Sequence, residues 1–151
     1  MANNPYRNIL VPYDNSKFSQ KALETAKTFA KRFDSTLHIA TVVDVSNVAS
    51  PGMIRSKDIK TIGEIKTIIK QSTKTLIQKK EEECTIEKIK TKGWVLEGST
   101  ASELLRLIKE NNIDIVLIGS KGLSGFSKIR SLGSVSRKIS ELADCPVMII
   151  H

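Results

Sequence analysis

The stretch from Asp114 to Ser136, DIVLIGSKGLSGFSKIRSLGSVS, constrains the fold more than any other part of this 151-residue chain. An apolar run from Ile113 to Ile118, broken only by Asp114, has the length and β-branched character of a buried strand. It stops at Gly119-Ser120-Lys121-Gly122, passes a polar loop containing Gly125, and reaches Gly133-Ser134. Val135, Ile139 and Leu142 then recur at helical spacing. A strand, a glycine-rich loop and a helix start together can frame an anion. Glycines let backbone approach a ligand, and a helix N-terminus offers unpaired N–H groups with a favourable dipole. Lys121, Lys128 and Arg130 add positive charge to the same loop. A solvated crossover loop whose glycines only serve turns fits the local pattern equally well.

The rest of the chain repeats the alternation of strand and helix. Asn8 to Pro12 (NILVP) reads as a first strand, ending at Tyr13-Asp14-Asn15-Ser16, where the Asp, Asn and Ser can cap the next helix. Phe18, Ala22, Ala26, Phe29, Ala30 and Phe33 supply that helix with an apolar face. Thr36 to Val43 (TLHIATVV) is a second strand, apolar enough to be covered on both faces, with His38 as a structural residue. Asp44 to Lys57 lacks a period and carries a Pro-Gly turn, so it reads as a mobile connection. A long helix is expected from about Asp58 to Glu83, with Ile62, Ile65, Ile69, Leu76 and Ile77 as its buried stripe. Thr85 to Leu96 reads as a third strand near an edge, with Trp94 packed against a helix. Glu97-Gly98-Ser99-Thr100 turns into a helix carrying Leu104, Leu105 and Ile108 and running to Asn111 or Asn112. After the glycine loop come a last helix, Ser134 to about Ala143, and a closing strand, Val147 to Ile150.

Composition narrows the function. At 40% hydrophobic and 26% charged residues, the chain reads as one globular domain over 1–151. No apolar run approaches the ~20 residues that span a bilayer, and the N-terminus lacks a secretory pattern, so a cytoplasmic location is expected. Cys84 and Cys145 form no metal or redox motif. The net charge of +8 could serve nucleic acid, but four Phe, two Tyr and one Trp form no stacking platform beside the lysines. A solvated basic surface is the expectation.

Alternating strands and helices imply an α/β fold, a doubly wound parallel sheet with ligands beyond the carboxyl ends of the strands. If the strand order reverses between the first and fourth strands, Pro12-Tyr13-Asp14 faces Gly119 to Gly122 across the switch point. Several segments carry a resemblance: VPYDNSKFSQKALETA, ATVVD, VLEGSTASELL, and DIVLIGSKGLSGF with LGSVSRKISELADCPVMII. Together, from about Tyr6 to His151, they resemble the universal stress protein family. The resemblance implies a single-domain, Rossmann-like, five-stranded parallel sheet of order 3-2-1-4-5, and a homodimer formed through the last strand.

One branch of that family binds ATP and carries glycine, two residues, glycine, nine residues, then glycine with Ser or Thr. Here Gly119 and Gly122 fit, but ten residues precede Gly133-Ser134, one more than the pattern. The resemblance implies that Pro12, Tyr13 and Asp14 line an adenine nucleotide, and that Val42 meets adenine through its backbone. Ile118 would lie against base or ribose. Gly119 and Gly122 would admit ribose and phosphates, and Gly133, Ser134 and Val135 would hold phosphate oxygens. Asp14 would either hold a phosphate-bound Mg²⁺ through water or cap the first helix. The alternative within the family is a nucleotide-free dimerisation and partner-binding module.

Other chemistries find less support. Neither G-x-x-x-x-G-K-[ST] nor G-x-G-x-x-G occurs. A related ATP pyrophosphatase-type ligase would carry a serine- and glycine-rich loop where this chain has PYDNS. No nucleophile, base and orienting group come together in the sequence, so any ATP turnover is expected to be slow and incidental.

Overall fold

A computed structural model describes residues 3–46, 58–123 and 131–151. Nine elements alternate in chain order: β1 (Asn8–Pro12), α1 (Lys17–Phe33), β2 (Thr36–Val43), α2 (Asp58–Ile86), β3 (Lys90–Glu97), α3 (Thr100–Glu110), β4 (Ile115–Gly119), α4 (Ser134–Leu142) and β5 (Val147–Ile150). All strand pairs are parallel, in the order β3-β2-β1-β4-β5. This is the α/β sheet expected from the sequence, with its switch point between β1 and β4.

Side chains of successive strand residues point to opposite faces, so each central strand feeds two cores. Ile9 and Val11 of β1, Leu37 and Ile39 of β2, and Ile115 and Leu117 of β4 pack with Ala22, Ala26 and Ala30 of α1 and Ile77 and Cys84 of α2. Leu10, Ala40, Val116 and Ile118 pack on the other face with Ala101, Leu104 and Ile108 of α3 and Ile139 of α4. The alanine face of α1 lets that helix lie close to the sheet. Ser16 is its N-cap, accepting from Ser19 N at 3.2 Å, and Asp34 ends it in the left-handed conformation.

His38 is buried on β2 with a partner on each ring nitrogen. Trp94 Nε1 donates to Nδ1 at 3.1 Å, and Nε2 faces Asn8 Oδ1 at 3.2 Å. The Trp94 indole also stacks on the imidazole and packs against the core shared with α3. The structural reading of His38 therefore holds.

Several expected boundaries move. The third strand does not begin at Thr85: α2 continues to Ile86, because Cys84 is fully buried in the core beneath it. A turn with Lys88 at φ 60° and Ile89 N bonded to Cys84 O then precedes β3. β4 starts at Ile115 rather than Ile113, since Ile113 N still closes α3 by bonding to Ile108 O. α3 ends at Glu110, before the expected Asn111 or Asn112, and α4 ends at Leu142. Ile65, expected in the buried stripe of α2, is 41% exposed, and Leu142 of α4 is 54% exposed. Most of the connection from Asp44 to Lys57, and Gly125, Lys128 and Arg130 of the glycine loop, lie outside the described residues.

Candidate functional site

Where β1 ends, Pro12 gives way to Tyr13, whose N–H still bonds to Ala40 O at 2.7 Å. Thr41 Oγ1 donates to Tyr13 O at 2.5 Å, holding the two strand ends together. The chain then reverses through Asn15, at φ 64°, into the capped start of α1. The Tyr13 ring packs into the core shared by α1 and α2, and its hydroxyl donates to Asn15 Oδ1 at 3.0 Å. Burial pushes its phenol above the usual range.

Asp14 ties two loops together. Its Oδ1 accepts from Ser16 N at 2.9 Å, and its Oδ2 accepts from Leu123 N at 3.1 Å. The carboxylate thus supports the start of α1 and pins the glycine loop against it. Of the two roles open to Asp14 in the sequence, the helix cap falls to Ser16 instead, with Asp14 holding the N–H of that cap residue, and the Leu123 contact was not foreseen.

β4 runs out at Gly119, and α4 is hung from that end. Ser136 Oγ donates to Gly119 O at 2.7 Å, and Gly133 N donates to Ser120 O at 2.8 Å. The two ends of the glycine loop therefore meet whatever its length. One residue more than the family spacing adds less than about 0.1 kcal/mol of closure entropy. Gly133 is the N-cap of α4, and no side chain caps that helix. Because the Gly133 N–H is already bonded to Ser120, an anion at this helix start would meet Ser134 and Val135 instead.

These ends surround a cavity of about 510 Å³ at the carboxyl ends of β1, β2 and β4. Pro12, Tyr13, Asp14, Val42, Ile118, Gly119, Gly122, Gly133, Ser134 and Val135 all line it. Lys121, read from the sequence as charge for this loop, lines it as well, and so do Ser19, Ala40, Thr41, Thr100, Leu104, Leu123 and Ser136, which were not singled out as site residues from the sequence. One signal could have found Thr100: in a doubly wound sheet every β-to-α turn lies on the ligand side, including Glu97 to Thr100.

The cavity has two chemically distinct ends. Ala40, Val42, Leu104 and Ile118 make one end apolar, suited to a flat ring. Asp14, Lys121, Gly122 and the uncapped start of α4 make the other polar, suited to hydroxyls and an anion. Among the described residues, no cluster of three metal-ligating side chains occurs. The polar end could therefore accept a divalent cation only together with a ligand that brings further oxygens.

A model of the Universal stress protein family matches residues 5–151. The universal stress protein YxiE of Bacillus subtilis is 30% identical over 149 residues, covering 97% of this chain and 99% of that protein. The structure of universal stress protein UspA from Lactobacillus plantarum superposes with a TM-score of 0.84 at 23% identity, covering 99% of this chain and all of that one (100%). Two more distant structures of the same fold are complexes. One is a universal stress protein with cAMP (TM-score 0.64, 22% identity, 97% of each chain). The other is the Archaeoglobus fulgidus protein with dAMP (TM-score 0.62, 18% identity, 97% of this chain and 98% of that one). With the sheet order and the family match in agreement, this chain belongs to the universal stress protein family.

Proposed function

We propose that this protein binds ATP and acts as a regulatory or sensor dimer, its one domain spanning 1–151 and working in the cytoplasm. The observation that carries the reading is the single cavity lined by all ten residues that the family resemblance marked for a nucleotide. Its volume of about 510 Å³ lies within the usual range for small-molecule sites. An apolar end for a base and a polar, helix-capped end for phosphates match the two halves of a nucleotide. Relatives of the same fold in complex with cAMP and dAMP support the adenine part of the ligand. ATP would bring the oxygens that a Mg²⁺ near Asp14 requires, with water completing its shell. A regulatory role rather than rapid turnover fits a described lining with no histidine or cysteine and one carboxylate, Asp14.

The second reading is a nucleotide-free dimerisation module that works through partners. One observation favours it: the missing side chain of Gly119 is required by α1 itself, since a Cβ there would lie 2.7 Å from Phe18 Cβ. That glycine therefore carries no information about a ligand.

Calorimetric titration with ATP and AMP separates the readings. ATP is expected to bind more tightly than AMP, and added salt should weaken ATP more, because its extra charge meets exposed, screenable partners. Equal affinity and equal salt dependence would leave an adenosine pocket without a phosphate site. No binding of either, and no adenine nucleotide released from the purified protein on denaturation, would establish the nucleotide-free module.

A further inference from the structure

Thr100 is the first residue of α3, and it shares a helix face with Leu104 four residues on. Both line the cavity, as do Ala40 and Val42. The other hydroxyls around this cavity are committed to the protein. Ser19 Oγ donates to Ser16 O at 3.0 Å, Thr41 to Tyr13 O at 2.5 Å and Ser136 to Gly119 O at 2.7 Å, while Tyr13 donates to Asn15 Oδ1 at 3.0 Å. Among the described lining residues, Thr100 and Ser134 alone present hydroxyls with no protein hydrogen bond. They stand at the starts of two different helices, α3 and α4. Ser99, the N-cap of α3, contributes no side-chain cap either.

Resting on the nucleotide reading above, we propose that Thr100 is a specificity-determining residue whose hydroxyl bonds to the ring edge of the ligand's base. Leu104, Ala40 and Val42 belong to one apolar cluster, so a ring seated against them would lose water from its polar edge. The Thr100 hydroxyl, uncommitted where that of Thr41 already donates to Tyr13 O, would restore one hydrogen bond, and it can donate or accept. A ligand edge buried without that partner would bear the cost of desolvation. Ser134 would serve the phosphates instead, so the two uncommitted hydroxyls divide the ligand between them.

The test uses the full-length protein and Thr100→Val, which keeps the side-chain shape and removes the hydroxyl. Thr100→Val should weaken ATP and AMP by the same factor, about three- to tenfold for one lost hydrogen bond. Thr100→Ser should stay within about twofold of wild type. Inorganic tripolyphosphate, which reaches only the polar end, should bind both variants as it binds wild type. ATP affinity unchanged in Thr100→Val overturns the inference. So does an equal loss for tripolyphosphate, which would mean that the valine disturbs the α3 start as a whole. If the wild-type protein binds no nucleotide at all, the nucleotide reading itself fails, and the assignment of Thr100 falls with it.

Discussion

A Cβ placed on Gly119 would lie 2.7 Å from Phe18 Cβ and 2.8 Å from the Phe18 carbonyl carbon, inside the first turn of α1. Helix backbone cannot yield there. On Gly122 the nearest atom is Asp14 Oδ2 at 2.8 Å, the tip of a side chain, and the next is at 4.0 Å. The two glycines look equivalent in the sequence, and both were read as making room for a ligand. Only the placement of α1 separates them. Gly119→Ala should therefore cost roughly 1–3 kcal/mol of stability through overpacking, seen as a lowered Tm. Gly122→Val should leave the fold intact, at a smaller cost in stability than Gly119→Ala, while abolishing ATP binding, because it displaces the tip of the Asp14 side chain and fills the polar end of the cavity. Thermal melts and titrations of both variants check the pair. A Gly122→Val protein that binds ATP normally would remove this loop from the site.

β1, β2 and β3 are stitched together on a diagonal by Asn8, His38 and Trp94, since His38 is level with Leu10 and Lys92 in the sheet. Since Trp94 donates to Nδ1, the Nε2 of neutral His38 carries the proton and donates to Asn8 Oδ1. Burial, with Lys92 nearby adding to it, lowers the His38 pKa from 6.5 to about 4. The unfolded chain thus takes up a proton below pH 6.5 that the folded chain refuses until about pH 4. Stability should be full above pH 6.5, fall between 6.5 and 4, and lose nothing further from this group below that. The full difference corresponds to roughly 3 kcal/mol. Urea unfolding across this range should show a steeper decline in wild type than in His38→Gln, and parallel curves would refute the assignment. At this scale the strands and helices were legible because period and composition mark them. Their ends were less so. Thr85 and Ile86 are β-branched and read as strand, yet the burial of Cys84 against α1 keeps them helical. The part of the cavity lining that α3 supplies was also hidden: Thr100 and Leu104 reach the cavity only through the crossing of α3 over β2, which no local pattern encodes.

The five-stranded sheet leaves two edges, and they differ in chemistry. On β3, Lys90 and Lys92 are exposed, and Gly93 N is bonded to Glu81 Oε1 at 2.6 Å. That bond exists because α2 comes close: a Cβ on Gly93 would lie 2.4 Å from Ile77 Cγ2. A second strand arriving there would meet charge and an N–H already bonded. β5 offers neither defence. Its four residues, Val147 to Ile150, are uncharged and half-buried. Met148 and Ile150 lean on one core, and Val147 and Ile149 on the other. An unguarded apolar edge invites pairing, and pairing with a second copy about a two-fold axis would close it. The proposed dimer is therefore placed at β5 rather than β3. Proline at the centre of β5 would remove a ladder donor and fix its φ, so Met148→Pro should give monomer or insoluble protein. Proline in place of Lys92, on the guarded edge, should leave the assembly dimeric wherever the variant folds. Light scattering on both decides the matter: a soluble Met148→Pro dimer of unchanged mass would place the interface elsewhere.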